Sequence, residues 1–239
     1  MRDRRKGQNA AAAYRAKILS YNPVAYWPLS EESGAVATCL VNATQNGAYV
    51  GVTLANAADP TGGGVCPYFD GLNDYVNVYS AALNTAFPRQ LGSLLIWLRA
   101  SAADVWTDGN YHLGISIQVN TANRVWVGKL NANNILVWRY IAGGTTKEVQ
   151  KVSSTTDWFC MGMTWSLAAN RMRAFYNGVQ EGLDQGTLGT FVGTALSSTL
   201  CTIGSSNTTP SLPWSGWEAH AALFNVELTP AQMLDISTP

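Results

Sequence analysis

The amino-acid sequence predicts an all-β protein, an antiparallel β-sandwich with a short N-terminal helix and arm and a short C-terminal helix. Tyr111, Leu113, Ile115, Ile117 and Val119 alternate with His112, Gly114, Ser116 and Gln118, the period of a strand with one buried face. Asn177-Gly178, set between Met172-Arg173-Ala174-Phe175-Tyr176 and Val179, is the dipeptide that accepts the positive φ angles of a tight hairpin turn. Near the C-terminus an apolar run from Trp214 to Asn225 leads into Thr229-Pro230, an N-cap followed by the residue best suited to the first helical position.

The remaining elements follow in chain order. Gln8 to Ser20 is rich in Ala and carries Tyr14, Arg15, Lys17, Ile18 and Leu19, a helix-favouring composition, and Asn22-Pro23 stops it. Residues 1–22 therefore read as a basic arm and helix, and residues 23–239 as the sandwich domain. From Val24 onward the apolar pattern is short and alternating, with turn residues between strands. Asp59-Pro60-Thr61-Gly62-Gly63-Gly64 is a loop inside that domain. Val125-Trp126-Val127, Ile135 to Trp138 and Phe159 to Trp165 read as strands, and Asn131-Ala132-Asn133-Asn134 as the turn between the first two.

A chain of 239 residues, 47% hydrophobic, suits one large β domain with a sizeable core. Only 13% of residues are charged, against about a quarter in soluble domains, so Ser, Thr, Asn, Gly and aromatic side chains must form much of the exterior. Such a surface suits sugars or neighbouring subunits. Residues 1–22 carry a net +5 and the rest the balancing −5. Arg2, Arg4, Arg5 and Lys6 are accordingly expected to contact neighbouring chains, the alternative being a solvated basic tail. The acidic remainder, without an aromatic-basic groove pattern, argues against nucleic acid. No run approaches 18 apolar residues, so no membrane-spanning helix is expected. Met1 to Lys6 leads into Gln8-Asn9 without the apolar core of a secretion signal, which points to synthesis in a cytoplasm. Cys39, Cys66, Cys160 and Cys201 lack C-x-x-C spacing, which argues against zinc. Four free thiols are expected, with a Cys39 to Cys66 bridge left open.

Four stretches carry a family resemblance when taken in order. They are Pro23-Val24-Ala25-Tyr26-Trp27-Pro28-Leu29, then Tyr68-Phe69-Asp70-Gly71-Leu72-Asn73-Asp74-Tyr75-Val76, then Trp158 to Trp165 with Phe175-Tyr176-Asn177-Gly178, and finally Trp214 to Gln232. Spread over residues 22–237, they resemble the laminin-G-like, concanavalin A-like lectin/glucanase domains, which implies a jelly-roll sandwich. The opening helix and Ala219-His220-Ala221-Ala222-Leu223-Phe224-Asn225 are similar to modules of bacteriophage structural proteins. That resemblance implies a non-enzymatic virion protein made in a host cytoplasm, a head decoration or cement protein or a tail-associated one, binding other virion proteins and copies of itself. The alternative is a carbohydrate-binding adhesin that recognises host or environmental glycans.

Glycosidases of this superfamily place two carboxylates on one strand as E-x-D-x-x-E, so that alternate residues face one cleft. Nothing here has that spacing: Glu31-Glu32, Asp70 with Asp74, and Glu181 with Asp184 all stand beside turn residues. His112 and His220 are the only histidines, and neither is accompanied by a G-x-S-x-G elbow. His112 reads as a surface residue and His220 as a partly buried, satisfied one. No catalytic residue and no cofactor are expected. Many members of the resembling family bind calcium, and Asp70, Asn73 and Asp74 occupy the matching loop. Cys39 and Ala219-His220 depart from the family's acidic positions, and Asp70 and Asp74 equally suit the capping of a tight turn. Among the nine tryptophans and ten tyrosines, Trp97, Trp126, Trp158 and Trp165 lie in strand patterns. Trp106, Tyr111 and Trp214 border polar, Gly-rich or Pro-rich loops and are the candidate platform for a sugar ring.

Overall fold

The structure, a computed structural model, describes residues 2–193 and 195–239, the side chains of residues 2–6 excepted. Among the described residues three α-helices, α1 (Arg2–Ser20), α2 (Ala81–Ala86) and α3 (Pro230–Ile236), accompany the strands. In chain order these are β1 (Ala25–Trp27), β2 (Val36–Ala37), β3 (Gly47–Val50), β4 (Thr53–Ala58), β5 (Val65–Asp70), β6 (Tyr75–Asn77), β7 (Leu91–Ala100) and β8 (His112–Asn120). The second half adds β9 (Asn123–Lys129), β10 (Ile135–Ala142), β11 (Thr145–Val152), β12 (Phe159–Ser166), β13 (Arg171–Tyr176), β14 (Val179–Gln185), β15 (Thr202–Ile203) and β16 (Ser215–Phe224).

Antiparallel pairing assembles two sheets. One runs β14-β13-β12-β7-β16-β5-β4 with β1 also on β16, the other β11-β10-β9-β8-β15-β6-β3-β2. The predicted antiparallel sandwich is thus the observed one. Its inner core joins Trp27, Phe69, Leu98, Ile115, Trp138 and Trp165 from both sheets, as alternation along each strand requires. The alternate residues of β7, Leu95 and Trp97, face outward into a second cluster with Tyr26, Phe175 and Phe224. The predicted Asn-Gly turn joins β13 to β14 with φ of 49° at Asn177 and 78° at Gly178. A Cβ at Gly178 would also meet the Leu234 backbone. At α3, Thr229 accepts from the Gln232 backbone N–H while the Gln232 side chain accepts from the Thr229 N–H, a capping box that completes the Thr-Pro signal. All four cysteines are free and buried.

The N-terminal region differs from the expected arm followed by a short helix. A single helix begins at Arg2 and packs on the body through Ala11, Tyr14 and Ile18, spaced i, i+3 and i+7 so that all three share one face. Tyr14 and Ile18 cover the outward cluster, Tyr14 is 1% exposed, and its hydroxyl donates to the Ile236 carbonyl and accepts from the Trp97 indole at 2.7 Å. Gly7 interrupts neither the helix nor the packing, because its backbone lies directly against Gly63: a Cβ at Gly63 would overlap the Gly7 carbonyl. The side chains of Arg2, Arg4, Arg5 and Lys6, expected to bind neighbours, lie outside the described residues. No described helix is long and apolar enough to cross a membrane.

Candidate functional site

At one end of the sandwich the 70–74 loop, the β7–β8 connection, Asn131 and the residues leading into β16 enclose two adjoining hollows of about 350 and 450 Å³. They share Gly71, Asn110 and His112 and so form one groove. Tyr111 and Leu212-Pro213 supply apolar surface on one side, and Tyr68, Asp70, Asp104 and Asp108 line the other.

A partly buried ion-pair network backs the groove. Lys129, at the end of β9, has a fully buried side chain whose Nζ donates to Asp108 Oδ1 at 3.0 Å and to the Asn110 carbonyl at 2.7 Å. His112 spans Asp108 Oδ2, 2.7 Å from Nε2, and the Pro213 carbonyl, 2.5 Å from Nδ1. Partial burial works against ionisation of Asp108, but hydrogen bonds from the Asn110 N–H, His112 and Lys129 prevail and hold its carboxyl down to about 2. The network fixes Asn110 and Pro213, and with them the groove walls, through strong charge-assisted bonds. The sequence reading placed His112 on the surface; it is 4% exposed, because the Asp108 turn and Pro213 close over the polar side of β8. His220 is buried and satisfied as expected: Nδ1 lies 2.8 Å from the Tyr26 hydroxyl and Nε2 3.1 Å from Asp59 Oδ2. Both ring nitrogens of each histidine are therefore engaged.

The expected aromatic trio does not form a platform. Trp106 is 1% exposed and donates to the Thr155 carbonyl, and Trp214 is fully buried, edge-on to His112 and Phe159. Both leave loops but turn inward, where a ring fills the space between the sheets; Tyr111 alone of the three is half-exposed at the groove. Half-exposed aromatics that the sequence reading missed are Tyr68 and Trp217, whose rings lie 5.2 Å apart at a tilt of 57°, with Arg99 stacked 4.4 Å from the Trp217 ring centre. Trp217, three positions beyond the buried Trp214, falls on the opposite face by simple alternation, so the signal for it was present in the sequence.

Asp70, Asn73 and Asp74 do share one loop. Asp70 Oδ1 accepts from the Leu72 N–H at 2.8 Å and Asp74 Oδ2 from the Asp70 N–H at 2.8 Å, so these carboxylates act as turn caps. Burial raises the Asp74 carboxyl above its ordinary range. Among the described residues no three His, Cys, Asp or Glu side chains converge on one point. Glu181 pairs with Lys151 and Asp184 with Arg173, at 2.8 and 2.9 Å.

No family model matches the chain, and no curated protein matches it by sequence. Solved structures match it by fold. Domain 4 of a GH43 extracellular arabinanase from Geobacillus stearothermophilus, solved in complex with arabinotriose, superposes with a TM-score of 0.66 at 13% identity, covering 90% of this chain and 98% of that domain. The botulinum neurotoxin serotype D binding domain gives a TM-score of 0.63 at 12% identity and covers 92% of this chain, which spans 52% of the toxin domain. A second structure, of the receptor binding domain of botulinum neurotoxin D, gives 0.66 at 12% identity. At such identities the likeness is one of fold alone, a β-sandwich.

Proposed function

We propose that the chain is a non-enzymatic carbohydrate-binding module whose loop-end groove receives a neutral saccharide. The observation that carries this reading is the groove itself: a half-exposed Tyr111 ring beside Asn110 and facing carboxylates, held rigid by the Lys129–Asp108–His112 network. An aromatic face stacks on the C–H face of a sugar while amides and carboxylates bond its hydroxyls. The fold likeness to a domain solved with arabinotriose supports the same reading, as does the engagement of both nitrogens in each histidine, which leaves neither poised as a general base. In a panel of neutral oligosaccharides that includes arabinotriose, at least one should bind, and Tyr111→Ala should weaken it by about 1 kcal/mol, roughly fivefold. Calorimetric titration with a melting-temperature control checks this; wild-type binding that survives Tyr111→Ala unchanged removes the groove from the reading.

A virion structural role is the second reading, supported by the +5 charge of residues 1–22 against the −5 of the rest. Changing Arg2, Arg4, Arg5 and Lys6 to Gln keeps Tyr14 and Ile18 in place and cuts the net charge of residues 1–22 from +5 to +1. Incorporation into particles should then fall while glycan binding is retained, and undiminished incorporation would count against the tether.

A further inference from the structure

A second cleft, of about 600 Å³, lies between α1 and the glycine-rich loop joining β4 to β5. Val65, at the start of β5, lines it, and Asp70, at the end of the same strand, lines the loop-end groove. Five residue steps separate the two by about 17 Å, and they share no lining residue.

The cleft is a built site. Its loop wall is pinned by Asp59, whose side chain is 1% exposed and whose Oδ1 accepts from the Thr61 hydroxyl, the Thr61 N–H and the Gly64 N–H while Oδ2 meets His220. Gly64 is wedged between that carboxylate and Ala11 of α1, and Gly63 lies against Gly7, so both walls approach without side chains between them. Arg15 enters from the helix side. Its Nε is buried and has no hydrogen-bond partner, and no ion pair engages its guanidinium among the described residues. With Nε enclosed, the two terminal nitrogens are the donors the guanidinium offers to the cleft, and their end-on fork matches a planar carboxylate in two parallel bonds. Gln8, Ser30 and Glu32 stand in the same lining. Glu32 repels a multiply charged anion but accepts well from hydroxyls.

We propose that this cleft binds the carboxylate-bearing residue of an acidic saccharide, Arg15 taking the carboxylate and Gln8, Ser30 and Glu32 the hydroxyls. The site is separate from the neutral-sugar groove, and the chain thereby carries two saccharide sites at opposite ends of β5.

The test titrates the full chain with D-glucuronate and D-galacturonate, with glucose and galactose as neutral parents, and with acetate and sulfate as bare anions, followed by calorimetry and amide NMR. Uronates should bind about tenfold or more tighter than the parents or the bare anions and shift the amides of Gly62 to Val65. Arg15→Ala should abolish that preference, and Arg15→Lys, which keeps the charge and the helix but loses the fork, should remove most of it. Tyr111→Ala should leave uronate binding intact, so failure here and failure of the groove reading are distinguishable. Equal binding of uronates and neutral parents, shifts elsewhere than at the cleft, or a preference that persists in folded Arg15→Lys overturns the proposal; acetate or sulfate binding as tightly as a uronate overturns the saccharide class.

Discussion

Tyr14→Ala is expected to lower the unfolding free energy by about 3–5 kcal/mol, the cost of removing a large buried aromatic. The ring is 1% exposed, stands edge-on to His220 at 4.8 Å, and lies in the cluster formed by Leu95, Trp97 and Phe175. Its removal also strands two buried polar groups, the Trp97 indole N–H and the Ile236 carbonyl, each costly to leave unpaired. Tyr14→Phe isolates that second part and should cost about 1–3 kcal/mol. By the same reasoning, deletion of residues 1–20 uncovers the outward face of β7 and should yield an aggregating or unfolded product, where a detachable arm would leave a stable body. Urea unfolding of the full-length variants measures the effect, and a loss below about 1 kcal/mol for Tyr14→Ala would show that α1 is not integral to the fold.

Glu218→Met should have a large effect of opposite sign. Glu218 points from β16 into the inner core, opposite Leu98, with no exposed surface and no hydrogen-bond partner for either carboxyl oxygen. Burial raises its carboxyl well above the ordinary range, so the native state holds a proton that the unfolded chain releases above about pH 4.3. The native state then binds more protons than the unfolded one, and this residue's contribution to stability falls by about 1.4 kcal/mol per pH unit above that point until the folded carboxyl itself ionises. Met fills a similar volume without a polar group and should stabilise the protein by about 3 kcal/mol at pH 7, with a much smaller gain below pH ~4.

Other groups contribute slopes of their own. Burial depresses His220, so its contribution grows as pH rises towards about 6.5. Asp59 and Asp108 are held low against the effect of burial, by His220 and Thr61 and by Asn110, His112 and Lys129, and their contribution is lost as pH falls below about 3.9. The difference between wild type and Glu218→Met as a function of pH therefore isolates the residue; a difference that does not grow between pH 4.5 and 7 would refute the buried neutral carboxyl.

The residues that set backbone geometry were the legible ones. The alternation of Ile115 and Ile117, the Asn177-Gly178 turn and the Thr229-Pro230 cap each act within a few residues, and each appears in the structure where local chemistry places it. What escaped is set by contacts across the chain. Trp106 and Trp214 border loops in sequence but are drawn inward by the space between two sheets, and Glu218 reads as an ordinary polar residue until the β16 register with β7 turns it into the core. Lys129 and Asp108 are 21 positions apart, and nothing in either's neighbourhood marks the pair. The docking of α1 was within reach, since Ala11, Tyr14 and Ile18 have the spacing of one helix face, but the basic cluster beside them suggested an arm. The groove was partly legible, through Asp70 and Tyr111; its partners Asn110, Asn131 and Pro213 are common loop residues with no distinguishing pattern.

The bond from Tyr14 to Ile236 closes a separation of 222 positions, and Lys17 reaches the Thr238 carbonyl across 221. During synthesis α1 emerges before the sheets it packs on, yet the surface it covers is finished only when α3 arrives, roughly 10–40 s later at ordinary elongation rates. Contacts of such long range are also the slowest to form in refolding. Once β7 has been made its outward face stays bare until β16 and α3 follow, so a helix made before the sheet is the lid fitted last, and the half-made chain is the form most in need of a chaperone.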